Sequence, residues 1–327
     1  MDIINITDRI TRIVVRLPDN PLKTLNSYII TGNDRNLLID TGFHVQESFS
    51  DLKEGIRALE IDMGQTDIFL THCHSDHAGN AGRIASPDSV IYASETDKDL
   101  IASIVGDHDG LERYFFRQMV EQGFPADSSE ESLEVNPALQ NNEPDPFPVV
   151  PIDEGHVFDL GGVRLGTVST PGHTPGHTCL YIEEDGILFT GDHVLFDITP
   201  NITEWSIMDD ALGVYLESLR KVRGMDVRLA LPGHRESGCF ASRIDALLDH
   251  HKSRLEEALN IVAAKDGQTC YEIASQMTWK IRHNNWSEFP LSQIYFAVGE
   301  AASHLRHLVV CGDVRVEKRE GVNRYYV

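Results

Sequence analysis

Within the ten residues Thr71–Asn80, THCHSDHAGN, three histidines and one aspartate fall inside six positions. His72 and His74 are two apart, so on an extended segment their side chains project to one side, which is chelating geometry. Asp76 and His77 follow where the chain should turn into a helix, so one loop offers four nitrogen or oxygen donors around a point. Zinc accepts imidazole nitrogen and carboxylate oxygen at about 2.0–2.2 Å, and donors this close repel or stay unsatisfied without a cation. A lone HxH is a weak signal; the full HxHxDH after the apolar triplet Ile68, Phe69 and Leu70 is a strong one. Cys73, between two of these histidines, should point the other way.

Donors of the same kind recur further along. TPGHTPGH offers His173 and His177, FTGD offers Asp192, and LPGH offers His234. Each follows an apolar strand pattern and a glycine-containing turn that lets backbone approach closely. Seven donors, His72, His74, Asp76, His77, His173, Asp192 and His234, converge if these loops share one rim. His177 reads equally as a supporting or substrate-bonding group and as a packed residue. His193 should face the opposite side of its strand from Asp192, and His44 is expected at the surface. His250 and His251, on a long helix, suit packing or an interface.

The elements that must carry these loops alternate. RITRIVVRL, NSYIITG and NLLIDTG read as opening β-hairpins, followed by a helix over Val45–Leu59, a strand at Ile68–Leu70, a helix after the cluster and a strand at Val90–Tyr92. This predicts an α/β, layered catalytic unit over residues 1–240. Residues 107–154 interrupt it with 12 acids against 2 bases and a Pro-rich passage, NNEPDPFPVVP, around a helical piece at Leu111–Gln122. So long an interruption reads as a lid, a pocket wall or a solvated insertion. The sheet pattern then resumes with a hairpin around Glu183–Gly186 and the strand VRLALPGH. Residues 241–327 change texture: a long helix with Ile244, Leu247, Leu248, Leu255, Leu259 and Val262 at helical spacing, a short helix (CYEIASQMT), a longer helix, and a closing hairpin turning near Glu320–Asn323. Helix, helix and two-stranded wing is the order of a winged-helix domain.

THCHSDH, TPGH, TGD and PGH, in this order and with LLIDTG near the start, resemble the metallo-β-lactamase superfamily over about residues 10–240. The resemblance implies an αββα sandwich with a two-metal site on one edge. It assigns His72, His74 and His173 to one ion, Asp76, His77 and His234 to the other, and Asp192 to a bridge between them. Asp40 of LLIDTG matches a strand-end aspartate that supports the site. The cofactors implied are two divalent ions, zinc first, with manganese or iron as alternatives. Asp76 and His177 are the candidates for a direct part in catalysis. An aspartate at position 192 resembles the glyoxalase II and nuclease branches more than the antibiotic-destroying members. A hydroxide held between the ions would be the nucleophile, because metal lowers the pKa of bound water from about 15.7 to roughly 7.

Three activities fit these motifs. The first is hydrolysis of an ester, thioester or related acyl bond of a small molecule. The second is endoribonuclease action on short single-stranded RNA, since the C-terminal order resembles the tail of lactamase-like endoribonucleases. The third is iron-dependent persulfide dioxygenation. HVLFDITPNITEW after Asp192 lacks the GRF-type glutathione contacts of glyoxalase II. For nucleic acid, Arg306, Arg315, Lys318, Arg319 and Arg324 are the phosphate candidates, but the net charge of −23 speaks against it. The 7 basic and 6 acidic residues from Gln268 onward leave 21 basic and 45 acidic before it. The tail otherwise serves as a cleft wall, a scaffold or a homodimer surface. No apolar run approaches the roughly 20 residues that span a membrane. The acidic start MDIINITDRI does not read as a signal peptide, and five scattered cysteines suit a reduced, cytoplasmic protein.

Overall fold

The computed structural model describes residues 2–125, 133, 139–280 and 285–327. Among the described residues the chain opens with β1 (Ile3–Asn5), β2 (Ile10–Arg16), β3 (Thr24–Thr31) and β4 (Asn36–Ile39), paired antiparallel in succession. Helix α1 (Gln46–Ala58) crosses to β5 (Thr66–Phe69), which runs parallel to β4. The short helices α2 (Ser75–Ala78) and α3 (Ala81–Ile84) lead to β6 (Ile91–Ser94), and α4 (Glu95–Gly106) and α5 (His108–Gln122) follow. The first sheet is closed by β7 (Val150–Ile152), giving the order β1-β2-β3-β4-β5-β6-β7.

The second sheet has the order β12-β11-β10-β9-β8, built from β8 (Val157–Asp159), β9 (Arg164–Ser169), β10 (Thr178–Ile182), β11 (Ile187–Gly191) and β12 (Leu229–Pro232). Helix α6 (Ala211–Arg223) is the crossover that makes β11 and β12 parallel. Strand alternation splits the side chains into layers, because successive residues point to opposite faces. Tyr28, Ile30, Leu37, Ile39, Leu180, Ile182, Ile187 and Phe189 fill the space between the sheets. Ile29, Leu38 and Ile68 pack outward with Leu52, Ile56 and Ile101 of the helices on the first sheet. Cys179, Leu188 and Ala230 pack with Leu212, Tyr215 and Leu219 on the other. The result is a helix, sheet, sheet, helix sandwich.

Two features differ from the sequence reading. The tail of the Pro-rich passage is not loop: Val150–Ile152 is an edge strand, where Pro151, lacking an N–H, costs no interior ladder bond. The long helix, α7 (Phe240–Ala264), places Phe240, Ile244 and Leu247 on the sandwich, but Ala258 and Val262 in a second core. That core gathers α8 (Cys270–Ala274), α9 (Leu291–Cys311), the hairpin β13 (Arg315–Arg319) and β14 (Val322–Tyr326), and also Met119 and Phe124 from the acidic interruption. The interruption therefore docks on the C-terminal helices through α5. Its residues 126–132 and 134–138 lie outside the described residues.

Candidate metal centre

One rim collects the ends of the strands. Thr71–His74 follows β5, His173 and His177 lie between β9 and β10, Asp192 follows β11, and His234 follows β12. The two sheets are tied there by backbone: Thr178 N–H donates to Thr71 O at 2.9 Å, and Asn26 N–H donates to Gly233 O at 2.7 Å. Close approach demands glycine. A Cβ on Gly191, whose φ is 46°, would stand 2.8 Å from both His177 Nε2 and Thr71 Oγ1, and one on Gly233 would stand 2.8 Å from Asp192 Oδ1.

Ring nitrogens that point away from the rim are already spoken for, which fixes which ones face inward. His77 Nδ1 donates to Asp40 Oδ2 at 2.7 Å, His234 Nδ1 to Thr24 O at 2.8 Å, and His173 Nδ1 to Asn201 O at 2.8 Å. His72 Nδ1 lies 3.0 Å from Thr71 Oγ1, whose own proton goes to Asp40. The inward atoms crowd together: His72 Nε2 is 3.0 Å from His74 Nδ1, and His77 Nε2 is 3.3 Å from His234 Nε2. Asp192 spans the group, with Oδ1 3.5 Å from His77 Nε2 and Oδ2 3.5 Å from His234 Nε2 and 3.7 Å from His173 Nε2. Asp76 Oδ2 is 3.2 Å from His234 Nε2. Three donor groups have the mutual spacing of a metal site: His72, His74 and His173; His72, His77 and Asp192; Asp76, His77 and His234.

The electrostatics divide the rim. Burial, aided by neighbouring imidazoles, pushes His72 well below its usual range and His74 to about 3, and burial also lowers His173. These are neutral donors. Burial opposes charge on His77 and His234 too, but the surrounding carboxylates overcome it, raising His77 well above its usual range and His234 to about 10. The same attraction outweighs the burial of the acids, holding Asp76 at about 2 and Asp192 well below the usual carboxylate range. One proton can satisfy the facing pair His77 and His234. It leaves His173 Nε2 buried with no hydrogen-bond partner, and Asp192 Oδ1 buried with nothing nearer than His77 Nε2 at 3.5 Å, too long for a good bond. The donor set thus fits a bound cation.

His177 is placed behind the rim. Its Nδ1 donates to Thr170 Oγ1 at 2.8 Å and its Nε2 accepts the Asp192 backbone N–H at 3.2 Å. Both ring nitrogens are used, so it supports Asp192 and has none left for a substrate. Cys73 points into the hydrophobic core. His193 turns to Tyr215, with ring centroids 5.3 Å apart, and His44 bonds Gly79 O at 3.1 Å. His251 and His304 pair at 3.1 Å inside the helical layer.

Sequence reasoning missed four residues. Asp97, on α4, accepts the Cys73 N–H, the Gly176 N–H and the Thr174 hydroxyl at 2.9, 2.7 and 2.7 Å, lashing the two histidine loops together. Burial nonetheless pushes its carboxyl up to about 6, against those donors. Asn26 donates to Pro232 O and Arg235 O, bracing the His234 loop. Trp205 stacks near His74, with ring centroids 6.2 Å apart, and donates to His173 O. Asn201 supplies the carbonyl that orients His173. Only Asp97 had a local signal, as the third residue after the helix-capping Ser94.

The five basic residues proposed for phosphate contact each have a protein partner. Arg306 donates to Asp209 O, Arg315 and Arg319 to Glu317, Lys318 pairs with Glu121, and Arg324 donates to Gly267 O.

The sequence matches the family described as Metallo-beta-lactamase superfamily over residues 23–234. It is 26% identical over 290 residues to the lactamase-like protein nscB of Neosartorya fischeri, spanning 82% of this chain and 71% of that one. It is 28% identical over 233 residues to an atrochrysone carboxyl ACP thioesterase of Emericella nidulans, spanning 71% of this chain and 57% of that protein. In structure it is similar to a metallo-beta-lactamase family protein from Thermus thermophilus, with a TM-score of 0.82 at 25% identity over 98% of this chain and 99% of the other. A beta-lactamase domain protein from Burkholderia ambifaria gives a TM-score of 0.84 at 25% identity over 99% and 94%.

Proposed function

Because the chain belongs to the metallo-beta-lactamase superfamily and is a hydrolytic enzyme of that fold, we propose that it cleaves small acyl compounds, thioesters first, at a two-metal centre. The observation that carries this reading is the convergence of inward-facing imidazole nitrogens and carboxylate oxygens that protons alone leave unsatisfied, His173 Nε2 and Asp192 Oδ1 above all. His72, His74 and His173 would hold one ion, and Asp76, His77 and His234 the other. Asp192 reaches toward both groups. Zinc suits these nitrogen and oxygen donors best.

When bound, such ions lower the pKa of a water from about 15.7 to roughly 7 and withdraw charge from a carbonyl oxygen. The chain's own residues do the rest. Asp40 and Thr24 O hold the tautomers of His77 and His234, so that their Nε2 atoms face the rim. His177 holds the Asp192 backbone. Asp76, at about 2, is ionised at neutral pH and can accept but not donate a proton. Trp205 bounds the rim beside His74. Asp97, raised to about 6, is turned to the Cys73 and Gly176 amides and the Thr174 hydroxyl behind the rim. With no other acid near neutrality facing the rim among the described residues, a leaving group that needs no proton is favoured, and a thiolate, from a thiol of pKa about 8.5, is one. The relatives named as ACP thioesterases support the same bond type. We read the C-terminal helices and hairpin as a winged-helix-like module that walls the cleft. Five free cysteines favour a cytoplasmic setting.

Metal analysis of purified protein, with parallel assays on acyl thioesters, lactones and single-stranded RNA, tests this reading against a His74→Ala control. Two ions per chain and thioesterase activity abolished by the substitution are expected. A single iron, or RNA cleavage abolished by the substitution without thioester cleavage, would sink it.

A further inference from the structure

His173 is the one histidine of its donor group that comes from the second sheet, and its orientation depends on a carbonyl outside the histidine and aspartate motifs. Its Nδ1 donates to Asn201 O at 2.8 Å, which leaves Nε2 buried and unpartnered at the rim. Asn201 begins a segment, residues 201–210, that has no helix or strand of its own before α6. Helix α9 pins that segment along its length. Asn201 Nδ2 donates to Phe296 O at 3.3 Å, Ser303 Oγ reaches Ile202 O at 2.6 Å, Arg306 Nε donates to Asp209 O at 2.7 Å, and His307 Nδ1 donates to Asp210 Oδ2 at 2.8 Å.

Two of these details show how tightly the helix and the segment meet. Ser303 is buried and could bond its own helix at Glu300 O, 2.9 Å away, but its shorter contact crosses to Ile202 O. Gly299 stands one turn earlier, where a Cβ would come within 2.8 Å of Thr203 Oγ1. Helix and segment thus touch so closely that a side chain at position 299 would make Thr203 or the segment that carries it shift. The same segment presents Trp205, whose indole N–H donates to His173 O at 3.2 Å. Both ends of His173, ring and backbone, are therefore held by a segment that α9 fixes in place.

We propose that α9 is a positioning element of the metal centre: Ser303 and Gly299, acting through residues 201–210 and the Asn201 carbonyl, set the orientation of His173. This rests on the metal-centre reading above and gives the C-terminal helices a part in it that a cleft wall alone would not have. Outer partners of this kind fix the tautomer and ring direction of a ligating histidine, and their loss typically weakens metal affinity about 10- to 100-fold. The effect is one-sided. His77 and His234 are braced instead by Asp40 and Thr24 from the first sheet, at 2.7 and 2.8 Å.

The one-sidedness supplies the test. Wild type, Ser303→Ala and Gly299→Ala are prepared metal-free and titrated with zinc against a graded chelator, with ions bound per chain and thermal denaturation of the metal-free protein as readouts. Gly299→Ala is the sharper variant, because alanine favours a helix interior over glycine; any weakening of metal binding then cannot come from a frayed α9. Expected is one ion held as in wild type and a second weakened about tenfold or more. Two ions held as in wild type, or both weakened equally, would overturn the inference while leaving the metal-centre reading standing. A wild-type protein that takes up no metal would overturn both.

Discussion

Asp40 has a backbone φ of 57°, in the left-handed region that aspartate tolerates better than most residues but still at a cost. The strain turns its carboxylate back into the rim, where it accepts from Thr71 N–H, the Thr71 hydroxyl and His77 Nδ1 at 2.9, 2.8 and 2.7 Å. Asp40→Asn keeps the shape but offers one oxygen where two are used, so metal affinity should fall about 10- to 100-fold in a chelator competition. An unchanged affinity would mean that the tautomer of His77 is set elsewhere. The charge balance at the same residues predicts a pH effect. In the metal-free protein the carboxylates raise His77, and raise His234 to about 10, above the usual histidine value near 6.5. That contribution to stability is complete below about pH 6.5 and is lost as the pH rises toward about 10. The melting temperature of metal-free protein should therefore fall more steeply over that range than that of metal-loaded protein, in which the ions replace the protons. Parallel slopes would contradict this account.

At the scale of elements, the rim exists because loops from two sheets are cross-tied. Helix α4 does this with one carboxylate, Asp97, whose three donors come from the loop after β5 and the loop before β10. Asp97→Asn sets an amide N–H against at least one of these donors in a buried place, and should cost about 1–3 kcal/mol in a denaturant titration. A loss below that range would show that backbone pairing, such as Thr178 N–H to Thr71 O, suffices. The apolar strands themselves were legible because their alternation is local: Leu37 and Ile39 face one way and Leu38 the other. Asp97 was not legible as a tie, because nothing within α4 indicates what lies across from it.

For the whole molecule, the question is whether the C-terminal helices fold as a separate body. Helix α7 enters both cores, and α5 from the acidic interruption lies in the second one. Leu305, fully buried on α9, sits in that second core. Leu305→Ala should cost about 2–5 kcal/mol and lower a single thermal transition of the full chain. A separate early transition, with the sandwich melting unchanged, would show that the two cores are not coupled. The basic residues of the tail also bear on scale. Singly they look like phosphate contacts; in place each is paired within the protein, with Glu121, Glu317, Asp209 O or Gly267 O.

By itself the sequence determined which atoms are available for chemistry and the order in which strand ends deliver them: His72, His74, Asp76 and His77 by spacing alone, His173, Asp192 and His234 by glycine-marked turns. It also determined the layered α/β character, since strand and helix periods are short-range properties of the chain. The tertiary structure alone decided which nitrogen of each histidine faces the rim, because that depends on partners as far away as Thr24 for His234 and Asn201 for His173. It decided that both ring nitrogens of His177 are engaged within the protein, Nδ1 by Thr170 and Nε2 by the Asp192 N–H. It decided, too, that the acidic interruption docks on the C-terminal helices. Each of these is a contact between segments remote in the chain, and no local pattern of residue types encodes which remote carbonyl or core a side chain will meet.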